Sequence, residues 1–496
     1  MQPTVAINPW ASALLRRGGR NRNVLFLSLF GAVLAGALVV LLGPPLALVV
    51  VVAMPVAVVT LLDVRYFLWG ALAVITLLPF ATLPVDIGVT PTFLEVMLVG
   101  AIALVLVRGI HSNRTRFELS PVGVGLLLFL GLMVASFVMG IAHARPSVTS
   151  IRRFADLLLA LGFFFIALNV LEGRLVRQTY KVLVTLGAAA AFVGIALYFL
   201  PNWLSESFLN KLTLLGYPGG AVLRYVEDNP ALALRAIGTS VDPNVFGGLL
   251  AIMGGLSIPR LFSPGTRRQV LSRAVPAGLI GIALLLTYSR GSMFGLAAAL
   301  GLLALVRHRK LLWVLAVGAL LVLVLPMTRD YVQHFIEGIR GQDLATQMRF
   351  GEYKDALLLI SRYPWFGVGF TGVPDVDIYL GVSNLYLLIA EEMGLVGVSV
   401  FLLTMLTYFL HVWPASRLVR GVDPELESMV LGTLTAVAAG LVAGVLDHYL
   451  FNLTFPHAAT LLWLVVALGV ATAREARRQT ETGPTSREPA VAGRQG

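Results

Sequence analysis

The chain has 496 residues, 57% of them hydrophobic and 13% charged, with a mean hydropathy of +0.85. A soluble domain carries about 25% charged residues, so this composition excludes a soluble fold and specifies a polytopic membrane protein. The absence of cysteine removes disulfides, thiolate metal sites and cysteine nucleophiles. The net charge of +11 is that of cytoplasmic loops meeting anionic lipid, and not of a nucleic-acid surface.

A bilayer-crossing helix needs roughly 20 mostly apolar residues. Residues 1–23 form a basic N-terminus with Arg16, Arg17, Arg20 and Arg22, and no small-residue cleavage site follows, so the first apolar run reads as a retained span. Candidate spans fall at 24–42, 44–62, 66–83, 91–109, 121–141, 154–171, 182–200, 241–262, 274–289, 291–306, 311–326, 395–413, 428–446 and 457–472. Short runs tilt, kink or pair, so the expectation is an all-α polytopic membrane bundle of about 12–14 helices.

Spans over 24–200 precede a polar loop at 201–240. Core spans at 241–326 precede a second, larger loop at 327–394 that carries short amphipathic helices. Spans at 395–473 lead to a tail, 474–496, whose Arg, Glu, Thr, Pro and Gly content predicts disorder. With both termini cytoplasmic, Lys and Arg alternate between faces as the positive-inside rule requires, apart from Arg145, Arg152 and Arg153 in an outer loop. Both long loops then fall on the outer face, and long loops in a compact fold are usually functional.

Five polar stretches could carry chemistry. Asp242-Pro243-Asn244 starts a span; it is a capping arrangement or, aimed at the outer face, an anion site. Thr287-Tyr288-Ser289-Arg290-Gly291 joins two apolar runs almost without a loop, so Arg290 is either an interface anchor or a guanidinium facing an anionic substrate. Arg349 opens an amphipathic helix with Phe350, Tyr353, Ala356, Leu357 and Ile360 on one side, and Glu352 lies within it; the Pro-aromatic-Gly turn Pro364 to Gly369 follows. Ser383-Asn384-Leu385-Tyr386 runs into Glu391, Glu392 and Gly394, read as a helix start with solvated acids or as part of a site. Asp447, His448 and His457 lie on the last outer loop. Glu95 and Asp156 are the main acids near spans, and both read as site rim or as structural pairs.

In order and spacing these stretches resemble the O-antigen ligase and polymerase family of bacterial membrane glycosyltransferases. The resemblance covers roughly 238 to 400, through Asp242-Pro243-Asn244, the Thr-x-Ser-Arg-Gly hairpin, Arg349, the Pro-Trp-Phe-Gly-Val-Gly turn and Glu392-Met393-Gly394-Leu395-Val396-Gly397. It implies transfer of a glycan from undecaprenyl pyrophosphate to a sugar hydroxyl, on the outer side of the cytoplasmic membrane. The implied chemistry is metal-independent and uses no cofactor, and no Walker-type loop is present. By motif position, Arg290 and Arg349 are the pyrophosphate clamp, and Ser289, Asn244, Asn384, Tyr386 and Glu352 are substrate-binding positions.

Ligases of the family carry a His where this chain has Ser383. A serine is not a competent base, so the resemblance leaves a polymerase as the leading reading and the base open among Asp242, Glu352, Glu391, Asp447 and His448, with Asp242 and His448 preferred. The implied partners are the lipid-linked oligosaccharide, the bilayer and other polysaccharide-assembly proteins. A ligase acting on a lipid A core, a lipid-linked glycan transporter and a non-catalytic assembly component are the alternatives.

Overall fold

The computed structural model describes residues 64–83, 90–111, 118–142, 144–324, 336, 340–341, 344–372 and 381–481. The spans expected at 24–42 and 44–62 lie outside these residues, as do parts of the 327–394 loop and the end of the tail. In chain order the helices are α1 (Val64–Leu77), α2 (Phe93–His111), α3 (Pro121–Gly140), α4 (Val148–Val170), α5 (Arg174–Phe199) and the short α6 (Asn202–Lys211). Two-residue strands β1 (Arg224–Tyr225) and β2 (Leu234–Arg235) pair antiparallel, with Arg224 opposite Arg235. Then come α7 (Pro243–Ser257, extended by a 3-10 turn to Phe262), α8 (Arg267–Leu286), α9 (Arg290–Val306) and α10 (Lys310–Val324). The series ends with α11 (Leu344–Arg362), α12 (Leu385–Leu418), α13 (Pro424–Ala443) and α14 (Pro456–Glu481).

Eight of these are long and apolar enough to cross a membrane: α3, α4, α5, α7 with its extension, α8, α12, α13 and α14. The chain is an all-α, multi-pass membrane bundle. Starts are set by local chemistry. Ser120, Asp242 and Asp423 cap the first turns of α3, α7 and α13, each followed by Pro at the position where a missing N–H costs nothing. Thr266 and Gln269 form a reciprocal capping box on α8.

The centre is formed by α14, α13 and α7, which are largely enclosed, whereas α8 and α3 are mostly exposed to their surroundings. In lipid, apolar exposure gives no drive for helices to associate, so close contact depends on small residues. Gly295 of α9 packs on Ala439 and Ala443 of α13, and Gly255 of α7 packs on the Ala436 backbone.

Several boundaries differ from expectation for identifiable reasons. Helix α4 starts at Val148, so Arg152 lies within it and reaches Glu95 of α2 at 2.9 Å. Residues 474–481, expected in the tail, are helical because Arg474 donates to the Leu168 and Leu171 carbonyls, both at 2.8 Å. Helix α12 begins at Leu385 inside the expected loop and is broken at Gly394, where φ is +67°.

That break is filled by the Pro364–Gly369 turn. Leu395 and Val396 N–H, freed by the kink, donate to Pro364 O (2.7 Å) and Trp365 O (3.4 Å). The freed carbonyls of Glu391 and Glu392 accept from Val368 (2.8 Å) and Gly369 (3.1 Å). A Cβ at Gly394 would collide with the Trp365 backbone, and one at Gly367 with Glu391 and Glu392. Two stretches that read as separate motifs are thus one interlocked joint. The joint also buries Glu391 and Glu392, which are 1% and 4% exposed, so neither is a solvated acid.

Candidate active site

The hairpin between α8 and α9 explains its own sequence. Thr287 Oγ1 donates to Leu284 O (2.7 Å) and accepts from Ser289 N–H (3.1 Å), satisfying two backbone groups in a buried turn. Tyr288 takes the left-handed conformation (φ +54°) that reverses the chain. Ser289 Oγ meets Ser292 Oγ at 3.0 Å and packs against Gly247 of α7. Arg290 is the first residue of α9, and Ser289 makes no side-chain cap there, unlike Asp242 on α7 and Asn384 on α12. Gly291 leaves room for Leu446 of the α13–α14 loop.

Arg290 lines an open cleft with about 470 Å³ of empty space, together with Val226, Glu227, Arg235, Asn244, Tyr288, Gly291 and Arg349. Arg235 carries no motif and escaped the sequence analysis. It enters through β2, which docks on the end of α8: Ala236 N–H donates to Leu286 O (2.8 Å) and Arg235 Nε to Thr287 O (2.9 Å). These are carbonyls that a helix C-terminus leaves without intrahelical donors. A second Arg235 nitrogen reaches Asn244 Oδ1 at 2.8 Å. Burial pushes the Arg235 guanidinium below the usual arginine range, Asp242 and Asp447 pull it back, and Arg290 adds to the depression.

Arg349, expected to open its helix, instead reaches the cleft from within α11, which starts earlier at Leu344. Ala356 and Leu359 are buried, with Arg349, Glu352, Tyr353 and Ile360 partly so, at three- and four-residue spacing. Phe350 and Leu357, on the apolar side, are 61% and 59% exposed. Arg349 therefore sits on the packed face.

The other expected residues are mostly held by the backbone. One carboxylate oxygen of Asp242 accepts from Asn244 N–H (2.7 Å) and Val245 N–H (3.0 Å), capping α7. Val241, just before it, has φ +64°, strained for a β-branched residue. Asn384 caps α12 through Tyr386 N–H (2.9 Å) and Leu387 N–H (3.0 Å) and donates to Val445 O (2.8 Å). Tyr386 donates to Leu441 O (2.7 Å), and Glu352 accepts from Ser383 N–H (2.8 Å). Asn384, Tyr386 and Glu352 thus hold the walls around the cleft, while Asn244, Arg290 and Arg349 line it. Glu95, Arg152 and Asp156 form a polar group of their own between α2 and α4. His457 packs edge-on to Phe80 (4.9 Å) within the bundle.

The α13–α14 loop closes the same end. Leu385 N–H donates to Gly444 O at 2.7 Å. Asp447 and His448 follow, with His448 Nδ1 lying 3.7 Å from Asp447 Oδ1. Burial pushes the Asp447 carboxyl above its usual range, against the pull of His448 and Arg349.

Residues 275–402 match the family model described as O-antigen ligase. That segment, about a quarter of the chain, is what it shares with the O-antigen ligase family. No curated protein matches the chain. The family segment supplies Arg290, Arg349, Ser383 and Asn384, whereas Arg235, Asn244 and the Asp447–His448 pair come from outside it. The cleft therefore combines the matched segment with flanking elements, and the match suggests an enzyme of O-antigen assembly.

Proposed function

We propose that this protein is a glycosyltransferase of the O-antigen polymerase type. It moves a glycan from undecaprenyl pyrophosphate to a sugar hydroxyl of another carrier-linked repeat, at the outer face of the cytoplasmic membrane. The observation that carries this reading is the meeting of Arg235, Arg290 and Arg349 on one open cleft. Breaking the bond between the anomeric carbon and the pyrophosphate leaves negative charge on the departing oxygens, and fixed positive groups lower that barrier most in a partly dry site. Guanidinium forks match phosphate oxygens bidentately. The first turn of α9, with no side-chain cap, adds N–H groups of the kind that bind anions.

Roles divide by geometry. Arg290 and Arg349 bind the pyrophosphate. Arg235, bonded to Thr287 O and Asn244 Oδ1, holds the two walls at a fixed separation while adding its charge. Asn244 orients Arg235, and Ser289 sets the turn from which Arg290 projects.

The test is the length distribution of lipid-linked glycan in cells lacking the protein, restored with wild type, Arg290→Ala or Arg349→Ala at matched abundance. Single repeats accumulating without the protein and with either variant, but chains with wild type, are the expected result. Chains of normal length that stay on the carrier would identify a ligase. Unchanged glycan in every strain would overturn the reading.

A further inference from the structure

An attacking sugar hydroxyl needs a proton acceptor within reach. Glu227 on the cleft wall is solvent-exposed, and Asp242, Glu352 and Glu391 are committed elsewhere. Asp242 caps α7 with an oxygen that accepts two N–H bonds, and Glu352 accepts from Ser383 N–H. Glu391 is enclosed at the α12 joint, with both oxygens buried. His448 differs. Its side chain is 24% exposed, yet Nδ1 is enclosed without a hydrogen-bond partner and faces Asp447 at 3.7 Å. Its Nε2 makes no hydrogen bond with the described residues. The loop is pinned at both sides of the cleft, by Gly444 and Val445 to the start of α12 and by Leu446 against Gly291 of α9. Asp447 is within electrostatic range of Arg235 and Arg349, both lining the cleft.

Resting on the transfer reaction proposed above, we infer that His448 Nε2 is the proton acceptor for the attacking hydroxyl, with Asp447 as its positioning residue. The neutral ring carries its proton on Nδ1, toward Asp447, and leaves the Nε2 lone pair free. A small ring rotation closes the 3.7 Å gap to a hydrogen bond, as commonly happens when substrate binds. In the step, the acceptor oxygen bonds to the anomeric carbon. The bond from that carbon to pyrophosphate breaks, and its electron pair leaves with the polyprenyl pyrophosphate. The hydroxyl proton passes to Nε2 and then to water. Asp447 offsets the positive charge on the ring meanwhile. The charged and titratable groups facing the pair are Arg349 and Tyr353 of α11, Asp242 at α7, Arg235 of β2 and Tyr449 beside it.

The experiment uses the full-length protein in lipid nanodiscs and polyprenyl-pyrophosphate-linked glycan extracted from cells that lack it. Turnover, KM and a pH–rate profile are measured for wild type, His448→Gln and Asp447→Asn. His448→Gln is expected to lower turnover by at least about 100-fold, to leave KM near wild type and to abolish the acid limb. Asp447→Asn is expected to lower turnover less and to move the acid limb to lower pH, because the imidazolium loses its counter-charge. Wild-type turnover and an intact acid limb in His448→Gln would overturn the assignment. Should that variant not fold, an unmoved limb in the isosteric Asp447→Asn would overturn it. A wild type that transfers nothing would refute the reaction itself, whereas an active wild type with an indifferent His448→Gln refutes only the proton acceptor.

Discussion

The ion-paired arginines at one end of the bundle and those lining the cleft use the same residue type to opposite effect. At the end away from the cleft, cations face carboxylates: Arg177 meets Asp423 (2.7 Å), Lys181 meets Glu425 (2.9 Å), Arg307 meets Glu427 (2.7 Å) and Arg474 meets Glu118. At the cleft end, neither Arg235 nor Arg349 has a carboxylate ion-pair partner among the described residues, and the bonds of Arg235 go to a carbonyl and an amide. A neutralised arginine ties helices together. An arginine held by neutral groups keeps its field for something that arrives. The difference lies in the partners, which are remote in sequence, so it separates architecture from function where composition cannot.

The largest effect that would break this comparison is on turnover. Arg290→Ala and Arg349→Ala should each lower transfer by about 10²–10³, the scale for removing one stabilising donor from a developing oxyanion. Abundance and thermal midpoint should stay near wild type. A collapse of the folded protein with normal turnover per surviving molecule would place these arginines with those at the other end. Arg307→Ala is the mirror experiment. It leaves Glu427 buried without its nearest cation, which is 29% exposed, so the loss should fall below the roughly 3–5 kcal/mol of a fully buried pair. The thermal midpoint should drop while turnover per folded molecule holds.

Legibility in the sequence followed the range of the forces involved. Hydropathy acts along the chain, so nearly every described span was visible as an apolar run. Caps such as Asp242-Pro243 and Asn384 are local, and they appear where expected. Arg290 could be singled out because it starts a helix at a recognisable break, and Arg349 because it leads an amphipathic stretch, although α11 itself begins at Leu344. Arg235 could not, since its importance comes from β2 docking on the end of α8, more than 50 residues away. The burial of Glu391 and Glu392 was hidden for a similar reason: a helix break exposes carbonyls, and only the distant Pro364–Gly369 turn covers them. On α11, Ala356 and Leu359 are buried while Phe350 and Leu357 stay exposed, a division of the apolar residues that tertiary packing decides.

Arg235→Lys should give an intermediate result. The charge stays, but a lysine ammonium is a point donor and cannot reproduce the fork that spans Thr287 O and Asn244 Oδ1. Losing one charge-assisted bond of about 1.5–3 kcal/mol predicts roughly a ten- to hundredfold fall in turnover, shared between positioning and charge. A variant indistinguishable from wild type would reduce Arg235 to a bystander and leave two arginines to hold the pyrophosphate.

The smallest effect sharpens the comparison at its most ambiguous residue. Asp242 lies within electrostatic range of Arg235, and a carboxylate there could be a proton acceptor, an electrostatic brake on the clamp or only a cap. Asp242→Asn separates these. Asn is as good a cap as Asp, because its carbonyl oxygen accepts from the same Asn244 and Val245 N–H groups. A capping role therefore predicts a thermal midpoint close to wild type and turnover within about twofold, with a slight gain if removing the negative charge strengthens the field of Arg235. Asp242→Ala should then cost about 0.5–2 kcal/mol of stability through the loss of the two cap bonds. A fall in turnover of a hundredfold in Asp242→Asn, with stability retained, would instead make Asp242 the group that takes the proton and release His448 from that role.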